Sequence, residues 1–386
     1  MKKVFTLATA SVLAAASLSA EAQVAVDGVL NANEITAGNY VLIGKYTNPR
    51  GFGDYGLLSL YAASTATKVY FFLGGTVQNN GNAFQLYMDL PAAGGVPAGT
   101  VLPGASAGTS FEKMVAKMDL PVDMALALRA TAENATDFKI EAASYTNATT
   151  AASKKVTADA APLLGDGTAL TLPVDAAFPM LAGARVAYRN SSDGKVLTNP
   201  GNTTPNTGAT YGAAGSFGWE IELDRTAIGA LTGTPALTVF ALQNGGDGGF
   251  LSSDFIPQTS TPLTTNNGNL AEATGVDFGT IAGRQAATLN LTATGVTLAN
   301  RGQVAKALRF GVYPNPGSAV SVDYVVPQGK QNVTLSVIDA TGKQVRSVSA
   351  VQAGSQSYKL RNLSAGLYVV KLNVGGQQTS GKVVIE

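Results

Sequence analysis

Short runs of aliphatic, aromatic and β-branched residues, bounded by Gly, Pro, Asn, Asp or Ser, recur along most of the chain. Lys68–Leu73 is a compact run of strand formers, and Ala83–Asp89 sets Phe84, Leu86 and Met88 against Gln85, Tyr87 and Asp89. Met124–Arg129, Phe138–Tyr145, Ala184–Tyr188, Phe217–Leu223 and Leu237–Leu242 repeat the pattern. Strands this short and numerous predict an all-β fold, with a large antiparallel β-sandwich from Val24 to about Ile281. Within it, Phe217, Trp219, Ile221 and Leu223 share one strand face, read as core, while Glu220 and Glu222 fall on the other, read as solvent-facing. Ala92–Gly108, Thr146–Ala161 and Thr198–Gly215, rich in small and polar residues, read as long surface loops, and Thr109–Met118 admits a helix.

Residues 284–309 read as a polar connector with some strand character. Beyond them Val320–Val326, Val333–Ile338, Gln344–Val348, Ser357–Leu360, Leu367–Leu372 and Lys382–Ile385 predict a second unit, a small C-terminal immunoglobulin-like β-sandwich over 310–386. From Phe310 onward 7 Lys/Arg face 3 Asp/Glu, against 17 and 21 in 23–309, so the two units carry opposite formal charges.

The N-terminus has a different texture. Lys2 and Lys3 precede an apolar stretch from Val4 to Leu18, and Ala20-Glu21-Ala22 forms an A-x-A site, the pattern of a signal peptide over 1–22 with Gln23 first in the exported chain. The apolar stretch is too short to span a bilayer, and no later segment is apolar enough to do so.

Composition removes whole classes of chemistry. The chain has 0 His and 0 Cys, which excludes disulfides, Cys nucleophiles, His-based triads and the usual zinc or haem ligands. A formal charge of +1 gives no basic field for nucleic acid. No cofactor, metal site or catalytic residue is expected, and the chain reads as a non-enzyme.

Phe310-Gly311-Val312-Tyr313-Pro314-Asn315-Pro316, followed by a β-unit ending flush with the C-terminus, resembles the type A sorting domain of the type IX secretion system. Ile338–Lys343, Leu363–Leu372 and Lys382–Glu386 match its later signatures. The two prolines fix φ and remove amide donors, so the segment cannot continue a preceding sheet, and Gly342 suits a tight hairpin. The resemblance implies that Tyr313, Pro314, Asn315, Pro316, Gly342, Gly366, Tyr368 and Lys382 carry the sorting motif. It further implies passage through the periplasm, recognition by the secretion machinery, and release from, or attachment to, the outer surface of a Bacteroidetes-type bacterium.

The large domain offers less. Val26-Asp27-Gly28-Val29-Leu30 with Glu34, and Gly218–Asp224 followed by Ala227-Ile228-Gly229, are similar to the first and late strands of family-nine carbohydrate-binding and DOMON-like sandwiches. That similarity implies polysaccharide as a partner, alongside the alternative of a structural or adhesive surface protein. Aromatic side chains stack on sugar rings, so the candidates are Phe52 and Tyr55 in a Gly-rich loop and Tyr87 on the polar face of its strand. Trp219 is a further platform if it is not core. Glu220 and Glu222, about 7 Å apart at strand rise, fit the spacing of an inverting glycosidase pair but need no such role. Gly51–Gly56 spells G-x-G-x-x-G but leads into a strand-like run rather than a helix, and Asn244–Gly249 with Asp254 reads as a hairpin turn or a Ca²⁺ loop.

Overall fold

The computed structural model describes residues 24–36, 39–46, 54–91, 93–133, 135–202, 212–231, 233, 235–258, 269–281, 284–298, 308–374 and 377–386. The leader reading at 1–22 and the candidate Phe52 lie outside the described residues.

The period-two runs become two antiparallel sheets. One has the order β1-β2-β3-β11-β10-β9, formed by β1 (Val41–Lys45), β2 (Gly56–Ser64), β3 (Lys68–Thr76), β9 (Leu170–Thr171), β10 (Arg185–Tyr188) and β11 (Gly218–Asp224). The other has the path β14-β13-β12-β4-β5-β6-β7. Its strands are β4 (Ala83–Asp89), β5 (Met124–Ala130), β6 (Asp137–Asn147), β7 (Thr150–Lys155), β12 (Ala236–Asn244), β13 (Phe250–Ile256) and β14 (Asn269–Glu272). Three further strands pair off this path: β8 (Leu163–Leu164) on β6, β15 (Ala287–Thr292) on β12, and β16 (Gly295–Leu298) on β15.

One apolar cluster takes side chains from both sheets, so they pack face to face. Val69, Phe71, Leu73, Trp219 and Ile221 come from the first, and Phe84, Leu86, Met88, Leu126, Leu128 and Val239 from the second. The alternation read from the sequence thus assigns the inner face correctly, including Trp219.

Both outer faces are covered too, and here several expectations are corrected. On the ten-stranded sheet, the stretch expected as a free surface loop buries Val96 and Leu102, and the expected helix is instead a series of turns that buries Phe111, Met114 and Met118. Three charged groups pin this layer. The Asp123 carboxylate accepts from Leu90 N and Gly95 N, both at 2.6 Å. Glu141 accepts from Ser110 N at 2.8 Å and pairs with Arg129 Nε at 2.8 Å. Arg129 in turn donates to the carbonyls of Gly108 and Gly246. The expected loop at Thr146–Ala161 contains β7, an edge strand paired to β6. Residues 284–309 are not simply a connector, because β15 and β16 extend the large sheet to Leu298.

On the six-stranded sheet the covering layer is the N-terminal segment. Val24, Val26, Leu30 and Tyr40 pack on Tyr61, Tyr70, Phe72 and Ala187. Glu220 lies beneath it with 0% exposure and Glu222 with 5%, so neither faces solvent as the alternation suggested. Glu220 accepts hydrogen bonds from Asp27 N at 2.9 Å, Gly28 N at 3.0 Å and Tyr40 Oη at 2.5 Å. Glu34, in the short helix α1 (Ala32–Thr36), accepts from Ala25 N and Asn31 N. Gly28 needs φ +69°, and a Cβ there would sit 2.5 Å from Arg189 N, so no other residue fits. The Asp27-Gly28 opening is therefore a clamp on the sheet rather than a first strand, with Val29 making a single bridge to Phe217.

Burial pushes Glu220 up to about 8, against the hydrogen bonds from Tyr40 and from the Asp27 and Gly28 amides, which favour the carboxylate. A carboxyl whose folded pKa is raised contributes stability below its unfolded value, and that contribution is lost as pH rises through about 8. The melting temperature of the large domain is expected to fall between pH 6 and pH 9 by more in wild type than in Glu220→Gln. Parallel curves in calorimetry would show that Glu220 does not titrate in this range.

The C-terminal unit is one sheet of five strands: β17 (Gly311–Tyr313), β18 (Val320–Asp339), β19 (Gln344–Leu360), β20 (Gly366–Val374) and β21 (Gln377–Ile385), ordered β17-β18-β20-β21 with β19 on β18. Runs expected as separate strands are the two arms of β18 and the two ends of β19. The register slips between Val326 and Gln331, around Pro327, which has no amide hydrogen to donate. Alternate residues Val320, Val322, Tyr324, Val333, Leu335, Val370, Leu372 and Val383 build its separate core, in which Leu308 is also buried.

Candidate functional site

The Tyr313–Pro316 motif is built to reach the last strand. Pro314 and Pro316 have no amide hydrogens, and the side chain between them takes over the pairing. Asn315 Nδ2 donates to Lys382 O at 2.8 Å, and Asn315 Oδ1 accepts from Val384 N at 2.9 Å. One step on, Gly317 N donates to Val384 O at 3.1 Å and Gly317 O accepts from Glu386 N at 3.4 Å, a parallel bridge. The carboxamide of Asn315 thus substitutes for a strand peptide, and entry and exit of the unit are stitched together. A Cβ on Gly317 would lie 2.9 Å from Pro314 Cγ, so a side chain there would displace the stitch.

The other motif residues hold turns and core. Asp339 Oδ1 accepts from Thr341 Oγ1, Thr341 N and Lys343 N, which lowers its pKa and shapes the hairpin, while Gly342 takes φ +87°. Tyr368 is buried and donates from Oη to Ser364 O at 2.8 Å, tying down the turn before β20. Gly366 opens β20. Tyr313 is exposed and hydrogen-bonds Asp323, which also accepts from Ser357 Oγ at 2.7 Å. Lys382 contributes its carbonyl to the stitch and leaves its side chain exposed.

Residues 311–386 match the family described as the secretion system C-terminal sorting domain. This is a sorting domain. It implies interaction with the type IX secretion machinery and export to the cell surface or the medium. None of the curated proteins matches the chain. Among solved structures, a biofilm associated protein BSP domain aligns over 88% of this chain and 83% of its own at 9% identity and a TM-score of 0.19, too slight a likeness to bear on fold or function. Among the described residues, no helix is long and apolar enough to cross a membrane.

Upstream of the sorting domain, the candidate aromatics do not converge. Tyr87 is 0% exposed, contrary to its expected place on a polar face. The turns over the ten-stranded sheet bury it edge-on against Phe111, and its hydroxyl donates to Gln85 Oε1 at 2.6 Å. Trp219 is likewise 0% exposed, in the inter-sheet core. Tyr55 is half-buried where the chain enters β2, next to the Asp54–Lys195 ion pair of 2.9 Å. Of the three binding candidates, Tyr55 alone is both described and accessible.

Glu220 and Glu222 have separate partners. Glu220 is sealed under the N-terminal clamp, and Glu222 meets Lys68 and Arg185 at 3.6 and 3.4 Å. Asp247 pairs with Lys113 at 2.7 Å and accepts from Gly249 N, whereas Asp254 Oδ2 accepts from Leu57 N. The two acids therefore serve different elements, and no group of three or more acidic side chains able to hold a metal occurs among the described residues.

Sequence reasoning missed Arg225, which follows the strand-and-turn segment Gly218–Asp224. Its buried guanidinium donates to the carbonyls of Ala230, Thr65 and Thr292, joining three turns at the edge of the sandwich. A lone Arg after an acidic strand end gives no sign of this in the sequence, because its acceptors are backbone carbonyls, two of them distant along the chain.

Proposed function

We propose that the chain is a type IX secretion cargo, made with a cleavable leader over 1–22, moved through the periplasm, and delivered outside as a non-catalytic surface protein with a structural or adhesive role. The observation that carries the reading of the large domain is that both outer sheet faces are covered by the chain's own segments, with Tyr87 and the carboxyl of Glu220 enclosed beneath them. A sandwich enclosed in this way supports a role that rests on stability and display. The absence of His and Cys chemistry agrees with a non-enzymatic role.

A second reading, weak binding of extracellular glycan, is favoured by Tyr55, an accessible ring beside an ion pair at the loop end of the six-stranded sheet. One stacking ring is worth about 1 kcal/mol, well short of the about 4 kcal/mol of a millimolar complex, so binding centred on Tyr55 is expected to be no tighter than millimolar. Pull-down on insoluble polysaccharides and calorimetry on soluble oligosaccharides, comparing wild type with Tyr55→Ala, separate the two. Binding lost in the variant supports glycan recognition at Tyr55, and no binding by folded wild type leaves the structural role.

A further inference from the structure

The sorting domain carries a basic depression that its motif does not use. Where β19 ends, Arg346, Tyr358, Lys359, Leu360, Arg361 and Asn362 line a hollow of about 220 Å³. It contains three cations and no acid. Arg346 lies near the start of β19, Lys359 near its end and Arg361 just beyond it, and the hydrogen bond from Arg346 to the Arg361 carbonyl shows that the two ends of this long strand meet.

Arg346 is held without being neutralised. Its Nη2 donates to Arg361 O at 3.1 Å and Asn362 O at 3.3 Å, carbonyl acceptors that orient the guanidinium and leave its charge intact. Asn362 takes φ +56°, the left-handed conformation that Asn tolerates better than most residues. Among the described residues no carboxylate forms an ion pair with Arg346, Lys359 or Arg361. The acids of the same unit are placed elsewhere: Asp339 caps its hairpin, Asp323 meets Tyr313 and Ser357, and Glu386 lies at the stitch, its amide donating to Gly317 O at 3.4 Å.

Three unpaired cations around one concavity, one of them pre-oriented, form a receptor for a compact multivalent anion. We propose that this hollow is a phosphate-binding site, taking a terminal phosphate group through the guanidinium groups of Arg346 and Arg361 and the point charge of Lys359. The same chemistry is offered by free inorganic phosphate and by the phosphate headgroup of an envelope lipid. The site is distinct from the Asn315 stitch and does not depend on what the large domain binds.

The test uses the full chain with two probes. Calorimetry with inorganic phosphate reads the free anion, and sedimentation with vesicles containing phosphatidate, compared with phosphatidylcholine alone, reads the headgroup. Wild type is expected to bind inorganic phosphate, with affinity falling as salt rises. Arg346→Gln is expected to weaken binding about tenfold, the usual scale for losing a charge-assisted hydrogen bond. Lys330→Gln, an equal loss of charge on an exposed residue outside the hollow, is expected to leave it unchanged. Phosphate-competable sedimentation with phosphatidate vesicles assigns the site to a headgroup, and calorimetric binding without sedimentation assigns it to the free anion. No binding of either probe, or equal weakening by Lys330→Gln, overturns the proposal. The substituted residues are exposed, and unchanged melting temperatures of the variants exclude misfolding as the cause.

Discussion

Trp219→Ala is expected to destabilise the large domain by about 3 to 5 kcal/mol, the range for removing a large aromatic side chain from a packed core. The ring has 0% exposure in the centre of the six-stranded sheet, where Trp219 is cross-strand neighbour to Leu73 on one side and Tyr188 on the other. Both sheets contribute to the surrounding cluster, so the cavity cannot close without shifting strands. A typical domain has only about 5 to 15 kcal/mol in total, so much of the large domain should unfold at temperatures wild type tolerates. The indole N–H has no hydrogen-bond partner among the described residues, so Trp219→Phe should cost much less. Tyr55→Ala, at a half-buried position outside the core clusters, should cost clearly less than Trp219→Ala. Urea unfolding followed by circular dichroism checks all three, and a loss below about 1 kcal/mol for Trp219→Ala would contradict the core assignment.

The contrast between Trp219 and Tyr87 shows what alternation can and cannot reveal. Period two tells which residues share a face, and it separated Phe84, Leu86 and Met88 from Gln85 and Tyr87 correctly. It does not tell whether the other face meets water. That is decided by segments outside the strand itself, Val96–Met118 over Tyr87 and Val24–Leu30 with Tyr40 over Glu220, of which the first reads as a loop running into a helix and the second as a first strand. The same blindness to long-range pairing hid β15 and β16, since a short strand at a sheet edge has no signal beyond a few β-formers. The Asp27-Gly28 opening was visible, but its role as the partner of a buried Glu220 depends on residues 192 positions apart.

The sorting domain was far more legible. Its identity rests on local features: the two prolines, the Asp339–Lys343 hairpin and the Gly366 entry to β20, each needing a particular residue type for a backbone reason. Its binding hollow was not legible, because Arg346, Lys359 and Arg361 look like ordinary exposed charges until the two ends of β19 meet.

Removing Leu308–Glu386 tests the central claim, that the C-terminal unit directs this chain out of the cell. Leu308 is included because it is buried in that unit's core and its carbonyl accepts from Val325 N at 2.6 Å. The large sandwich has its own core and, among the described residues, its last strand ends at Leu298, so it is expected to fold without the sorting domain. Cells making full-length or truncated protein are fractionated into medium, surface, periplasm and cytoplasm, and the fractions are immunoblotted for the large domain. Full-length chain outside the cell, with truncated chain folded, protease-resistant and confined to the periplasm, is the expected result, whereas truncated protein reaching the surface or medium at wild-type levels would contradict the account.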